Sequence, residues 1–171
     1  MTLDKLKRIK LLLLDVDGVL TDGNIVYNDA GAEIKAFNTK DGLGIKMLMG
    51  AGIEVGIVTG RTSRALIHRC DNLGISLVFD KVRDKGGVLT VISKEKGVGA
   101  EHIAFVGDDL VDIPLMKRVG LSVAVADAHE TVLECADMVT SAQGGAGAVR
   151  EVCEAILKAQ GRWEEILARF V

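Results

Sequence analysis

Aromatic residues make up only 4% of this 171-residue sequence, with one tryptophan and one tyrosine, and there is a single proline. The three cysteines, Cys70, Cys135 and Cys153, are an odd number at long, irregular spacings. That pattern excludes a disulfide scaffold and a zinc knuckle, and leaves three reduced, mainly structural thiols. No basic stripe exists: 21 Lys and Arg are scattered among 24 Asp and Glu, for a net charge of -3. With so few aromatic platforms, a nucleic-acid interface has no support. The apolar run in the first eighteen residues is too brief for a membrane span and lacks a small-residue cleavage site behind it. A cytoplasmic location without membrane attachment is therefore the default expectation.

What is present is a hydrophobic content of 49% and 20 glycines, the profile of a chain with many tight turns between regular elements. Size scaling gives roughly 8,000 Å² of folded surface against about 26,000 Å² unfolded, so about 70% is buried in a single core without any staple. One domain spanning residues 1–171 follows. Short apolar runs at 9–14, 54–58, 77–79, 103–106, 122–125 and 138–140 read as strands buried on both faces. Helical segments are expected around 42–49, 63–73, 87–94, 112–119, 130–135 and 147–159. This alternation predicts an α/β fold, a three-layer Rossmann-like, mostly parallel sheet. One stretch breaks the rhythm: residues 23–38 read as two short strands around an Asn28-Asp29-Ala30-Gly31 turn, a hairpin inserted after the first strand. Residues 161–171, carrying Trp163 and Phe170, form either an extra arm or an end packed on its own subunit.

Polar chemistry collects where the apolar strands stop. The first strand runs into Asp15-Val16-Asp17-Gly18, the second into Thr59-Gly60-Arg61, and the fourth into Gly107-Asp108-Asp109 followed by Asp112. In an open α/β sheet these carboxyl ends form the ligand crevice, so the loops converge although far apart in sequence. Gly18 lets the first loop curl. Several carboxylates in one place repel unless a cation compensates, and an all-oxygen set without a His or Cys cluster favours Mg²⁺ over Zn²⁺. His68, His102 and His129 are isolated and read as structural.

Asp15-Val16-Asp17-Gly18-Val19-Leu20-Thr21, with Thr59-Gly60-Arg61, Lys85 and Gly107-Asp108-Asp109-Leu110-Val111-Asp112, resembles the haloacid-dehalogenase-like phosphatases. Four further motifs narrow the resemblance to the 3-deoxy-D-manno-octulosonate 8-phosphate phosphatase family. They are Thr21-Asp22-Gly23, Thr39-Lys40-Asp41-Gly42, Val125-Ala126-Asp127-Ala128 and the stretch from Gly144 through Gly147 to Glu151. The resemblance implies Mg²⁺-dependent hydrolysis of an acidic sugar phosphate through an aspartyl-phosphate intermediate, in lipopolysaccharide biosynthesis. Asp15 is then the nucleophile and Asp17 the general acid and base. Thr59 holds a phosphoryl oxygen and Lys85 neutralises the transferring group. Mg²⁺ is held by Asp15, the Asp17 backbone carbonyl and Asp108, with Asp109 or Asp112 acting through those ligands. Arg61 and Arg64 are possible substrate contacts or solvated helix residues.

Two departures from the family pattern bear on the substrate. Residues 79–85 lack a glycine that the family tends to place before its lysine, and Ala146 stands where many members carry a polar residue. Readings with a sialic-type sugar 9-phosphate, another small phosphate ester or a noncatalytic regulatory module remain open. A phosphoacceptor receiver domain is disfavoured, because it places its acceptor after the third strand. Only about 40 residues separate the first acidic loop from Thr59, too few for a lid domain. The resemblance implies a homotetramer whose neighbouring subunits close each site, with Ile25, Val26, Ile34 and Phe37 at the contact.

Overall fold

The computed structural model describes residues 2–170, so Met1 and Val171, the ends of the expected domain and arm, lie outside the described residues. After a short helix α1 (Thr2–Leu6) comes β1 (Leu11–Leu14), four leucines that are all fully buried. A strand with no polar face needs partners and cover on every side. β1 obtains both in the centre of a six-stranded parallel sheet. In chain order the rest are the hairpin strands β2 (Val26–Tyr27) and β3 (Glu33–Ile34), α2 (Thr39–Gly50), β4 (Glu54–Val58), α3 (Arg64–Leu73), β5 (Leu77–Phe79) and α4 (Lys85–Lys96). They continue with β6 (Ile103–Gly107), α5 (Ile113–Met116), β7 (Leu121–Ala124), α6 (Glu130–Cys135), β8 (Met138–Val139), α7 (Ala148–Ala159) and α8 (Trp163–Leu167).

The sheet order is β5-β4-β1-β6-β7-β8, with Leu14 paired between Ile57 and Val106. The chain therefore leaves β1 towards one edge and returns to β6 on its other side. That reversal opens a crevice beyond the carboxyl ends of β1 and β6, the place where such sheets bind ligands. The helices pack in groups, α2 along α7 and α4 against α5. β2 and β3 pair antiparallel as a separate two-stranded sheet, Val26 opposite Ile34 and Tyr27 opposite Glu33. The expected α/β fold with a small hairpin and no large cap is what the chain adopts. No helix among the described residues is long and apolar enough to cross a membrane. The three thiols are free, Cys70 and Cys153 within the core.

Three helix starts, those of α2, α3 and α4, carry side-chain caps. Asn38 accepts from Lys40 N–H ahead of α2, Ser63 from Leu66 N–H ahead of α3, and Asp84 from Gly87 N–H ahead of α4. The Asp84 cap moves the start of α4 two residues earlier than periodicity predicts, which places Lys85 inside its first turn. The helix expected over 112–119 is instead a 3₁₀ turn (Leu110–Asp112) followed by the single turn α5, which ends before Lys117. β7 runs one residue earlier than expected, and α1 and α8 are too short to have left a periodic signal. Trp163 packs on its own chain, with the Lys158 ammonium 4.9 Å from its ring centre, whereas Phe170 is exposed.

Lys81 has φ of 53°, and it occupies the stretch where the sequence departs from the family's glycine. The left-handed region costs a side chain roughly 1 kcal/mol or more. Lys81→Gly is expected to raise unfolding stability by about 1 kcal/mol, read from urea midpoints at constant m. A loss of stability would contradict the strain at this turn.

Candidate active site

The loop after β1 stays extended for one more residue, Asp15 N–H donating to Val106 C=O at 3.1 Å, and then curls. The amides of Val19, Leu20 and Thr21 all turn back to the Val16 carbonyl. Gly18, at φ 88°, is where the chain bends against the β6 loop. A Cβ there would lie 2.0 Å from Asp108 Oδ2, so the two acidic loops approach this closely only because residue 18 has no side chain.

At the floor of the crevice Lys85 Nζ lies 2.9 Å from Asp15 Oδ1 and 2.5 Å from Asp112 Oδ1. All three residues are buried. The other Asp112 oxygen accepts from the backbone amides of Asp108 and Asp109, at 2.9 and 3.3 Å. Both Asp112 oxygens are thus spoken for, and the residue orients the β6 loop and the lysine together. Asp108 Oδ1 is buried with no hydrogen-bond partner among the described residues. Asp15, Asp108 and Asp112 each bring a carboxylate oxygen within 4.8 Å of the others. An orphaned buried oxygen in an all-carboxylate group suits a hard divalent cation. The cluster can coordinate one.

Electrostatics agree with that. Burial pushes the Asp15 carboxyl up to about 6, with Lys85 pulling it down and Asp112 pushing further up. Asp108 is pushed up to about 7 by burial and by the charges of Asp15, Asp112 and Asp109. For Lys85, burial disfavours the ammonium, but Asp15 and Asp112 together outweigh it and the net direction is upward. One buried cation does not offset three carboxylates.

Above this floor is a cavity of about 360 Å³ lined by Asp15, Asp17, Thr59, Gly60, Arg61, Lys85, Asp108 and Asp109, with Gly23, Val82, Arg83 and Val111. Thr59 is buried at the end of β4, its amide bonded to Phe79 C=O and its carbonyl to Val82 N–H. Its Oγ1 accepts from Arg61 N–H at 3.3 Å, and the cavity reaches the hydroxyl's own residue and Gly60. Asp17 stands at the mouth, where Lys35 Nζ bonds its Oδ1 and Arg61 Nε lies 3.6 Å from its Oδ2. Glu33 closes the ring: Oε1 is 2.8 Å from Lys35 and Oε2 2.8 Å from Arg61 Nη2, which also donates to the Tyr27 hydroxyl at 3.3 Å. Those two cations hold the Glu33 carboxyl below its usual range.

Seven of the nine residues singled out from sequence line this cavity, and Asp112 lies just beneath it. Asp109 turns its side chain to Leu110 N–H, capping the 3₁₀ turn, and is outside the carboxylate cluster. Arg64 is not brought to the site; it is exposed at the start of α3, beside Ile67 and His68. Ala146 is exposed and does not line the cavity. Sequence reasoning missed Glu33, Lys35 and Arg83. Glu33 and Lys35 are two apart on the hairpin and share one face, so period-two reading marks them as a pair. Phe37, expected at a subunit contact, is half-buried against its own core, 5.6 Å from the Arg69 guanidinium.

A profile of the haloacid dehalogenase-like hydrolases matches residues 76–152. The 3-deoxy-D-manno-octulosonate 8-phosphate phosphatase of Escherichia coli strain K12 is 47% identical over 161 residues, covering 94% of this chain and 86% of that protein. The structure of the corresponding phosphatase of Moraxella catarrhalis, in complex with a magnesium ion, a phosphate ion and a KDO molecule, superposes with a TM-score of 0.97. It is 42% identical, covering 99% of this chain and 97% of that one. The cobalt-bound deoxy-D-mannose-octulosonate 8-phosphate phosphatase of Haemophilus influenzae gives a TM-score of 0.90 at 47% identity, with 93% of each chain covered.

The raised carboxyls set a pH signature for cation binding. Without a cation Asp15 and Asp108 hold more protons in the folded protein than in the unfolded chain between about pH 4 and 7, so raising pH through this window removes the stability these two groups contribute. A divalent cation binds the ionised carboxylates and restores it. The Tm gain from added Mg²⁺ is therefore expected to be larger at about pH 8 than at about pH 5.5, as read by scanning calorimetry. A gain independent of pH would exclude this cluster as the binding site.

Proposed function

Because this chain belongs to the haloacid dehalogenase-like hydrolases, within the family of the 3-deoxy-D-manno-octulosonate 8-phosphate phosphatases, we propose that it hydrolyses 3-deoxy-D-manno-octulosonate 8-phosphate to the free sugar acid and phosphate. The observation that carries the reading is the buried Asp15, paired with Lys85 at the floor of an open cavity whose mouth holds a second carboxylate, Asp17. A nucleophile and an acid two residues apart on one curled loop are what a double-displacement phosphomonoesterase needs.

In the first step a carboxylate oxygen of Asp15 attacks phosphorus, and the bond to the sugar oxygen breaks. Asp17 gives its proton to the departing alkoxide, and Asp15 is left as an aspartyl phosphate. In the second step Asp17, now a carboxylate, takes a proton from water as that water attacks the same phosphorus. Phosphate leaves and Asp15 is regenerated. Lys85 keeps its ammonium 2.9 Å from Asp15 and offsets charge on the transferring group. Thr59 and the amide of Gly60 are assigned to a phosphoryl oxygen. Asp15, Asp108 and the Asp17 carbonyl would hold Mg²⁺, which when bound would supply charge compensation between an anionic nucleophile and an anionic ester. Asp112 keeps Lys85 and the Asp108 loop in register.

The cavity mouth is lined by Arg61 and Arg83, cations suited to an acidic sugar, which favours the octulosonate ester over phosphates of uncharged hexoses. The open mouth also supports assembly into a homotetramer through the hairpins. Ile25, Val26, Tyr27 and Ile34 are each about half exposed on a two-stranded ribbon that pairs with no other strand among the described residues. Ile34→Glu is expected to shift the sedimenting species to a lower mass; an unchanged mass would exclude the hairpin as the contact.

The reading is tested by Mg²⁺-dependent phosphate release from 3-deoxy-D-manno-octulosonate 8-phosphate, a sialic-type sugar 9-phosphate and simple hexose phosphates in parallel. Preference for the octulosonate is expected, with a loss of about 10³-fold or more in kcat for Asp15→Asn. Equal turnover of all esters would reject the substrate, and turnover that survives in Asp15→Asn would reject the mechanism.

A further inference from the structure

Three motifs that mark the sequence contribute no residue to the lining of the cavity: Thr39 to Gly42, Val125 to Ala128, and Gly144 to Glu151. The fold brings all three together behind the catalytic loop. Gly144 is packed so closely that a Cβ on it would lie 1.8 Å from the Gly18 carbonyl oxygen. The next amide, Gly145 N–H, donates to Val19 C=O at 2.9 Å. The glycine segment is therefore the back wall of the turn that carries Asp17 and Gly18.

That wall has little rigidity of its own. Gly145 and Gly147 have φ of 66° and 110°, and α7 begins at Gly147 with no side-chain cap from its own segment. Its support comes from outside. Asp41, in the first turn of α2 and 1% exposed, accepts from Arg150 N–H at 2.8 Å and faces the Gly147 amide. It is the missing N-cap of α7, delivered by another helix. Asp127 Oδ1 accepts from Gly144 N–H at 2.9 Å at the other end of the segment. Asn38, the cap of α2, donates from Nδ2 to Gly145 C=O at 3.2 Å.

A buried carboxylate is costly, and one oxygen of Asp41 has no hydrogen-bond partner among the described residues beyond the Gly147 amide that faces the group. We propose that Asp41 is a positioning residue for phosphoryl transfer: with Asp127 it clamps the 144–147 segment, and that segment sets where the Asp17 turn stands against Asp15 and the scissile bond. Asp41 touches no reacting group. A displacement of the acid by about 1 Å costs on the order of a hundredfold in rate, so a loosened clamp appears in kcat before it appears in substrate binding.

The inference rests on the phosphatase reading, and wild-type turnover of 3-deoxy-D-manno-octulosonate 8-phosphate at saturating Mg²⁺ tests that reading alone; a wild type without turnover sinks the reading, not the clamp. Given wild-type activity, Asp41→Ala is expected to lower kcat at least about tenfold with KM changed less than about threefold. Asp41→Asn, which keeps an acceptor for Arg150 N–H, is expected to recover most of that loss. A folded Asp41→Ala with kcat within about twofold of wild type overturns the clamp, as does an Asp41→Asn that recovers nothing. If Asp41→Ala does not fold, Asp127→Ala decides: it is expected to show the same fall in kcat at nearly constant KM, and unchanged kcat overturns the proposal.

Discussion

The ammonium of Lys85, enclosed between Asp15 and Asp112, is the contact on which the rest of the molecule depends. It joins the end of β1, the 3₁₀ turn after β6 and the first turn of α4, three segments from both sides of the reversal in strand order. A buried charge is tolerable only when it is paired and hydrogen-bonded, so each of these segments must arrive in position for the others to be stable there. Asp112 extends the constraint to the backbone amides of Asp108 and Asp109. Burial, together with carboxylates in excess of the lysine, is why Asp15 and Asp108 hold their protons more tightly than free carboxyls, and the resulting cluster is one that can coordinate a divalent cation.

The upper half of the site is organised differently. Asp17, Lys35, Glu33 and Arg61 form a ring of alternating charges where the hairpin meets the sheet. Arg61 in this ring is substantially exposed, so solvent screens its pairings and they are individually weak. The floor pairs are buried and little screened, whereas at the mouth Arg61 pairs within reach of solvent while Lys35 is buried against Asp17 and Glu33. The hairpin contributes this ring without forming a lid of its own, and its apolar side chains face outward.

Much of the architecture was legible in the chain. Four consecutive leucines ending in Asp15 state a strand buried on both faces and the point where it stops, because apolar content and the first acidic residue are local properties. The same holds for Thr59 after β4 and Asp108 after β6, and parallel strands with helical crossovers put their carboxyl ends on one side. Where the reading slipped, a local signal was weak or a distant one decided. The Asp84 cap set the start of α4, Asp109 and Asp112 shortened the expected helix after β6, and α8 was too brief to show a period.

Residue types and their order therefore determined the fold class and the acidic crevice at the strand ends on their own, and the roles of Asp15, Asp17 and Lys85 were legible only through the family resemblance their motifs carry. Tertiary structure alone decided who meets whom across long separations. Lys35 reaches Asp17, Asp41 caps a helix that begins more than a hundred residues later, and Arg64, which looked equivalent to Arg61, faces away. The reason is physical: strand and helix periods fix which face a side chain takes within one element, whereas the distance between two loops depends on how close their backbones come. That approach is set here by glycines such as Gly18 and Gly144, whose contacts lie outside their own segments.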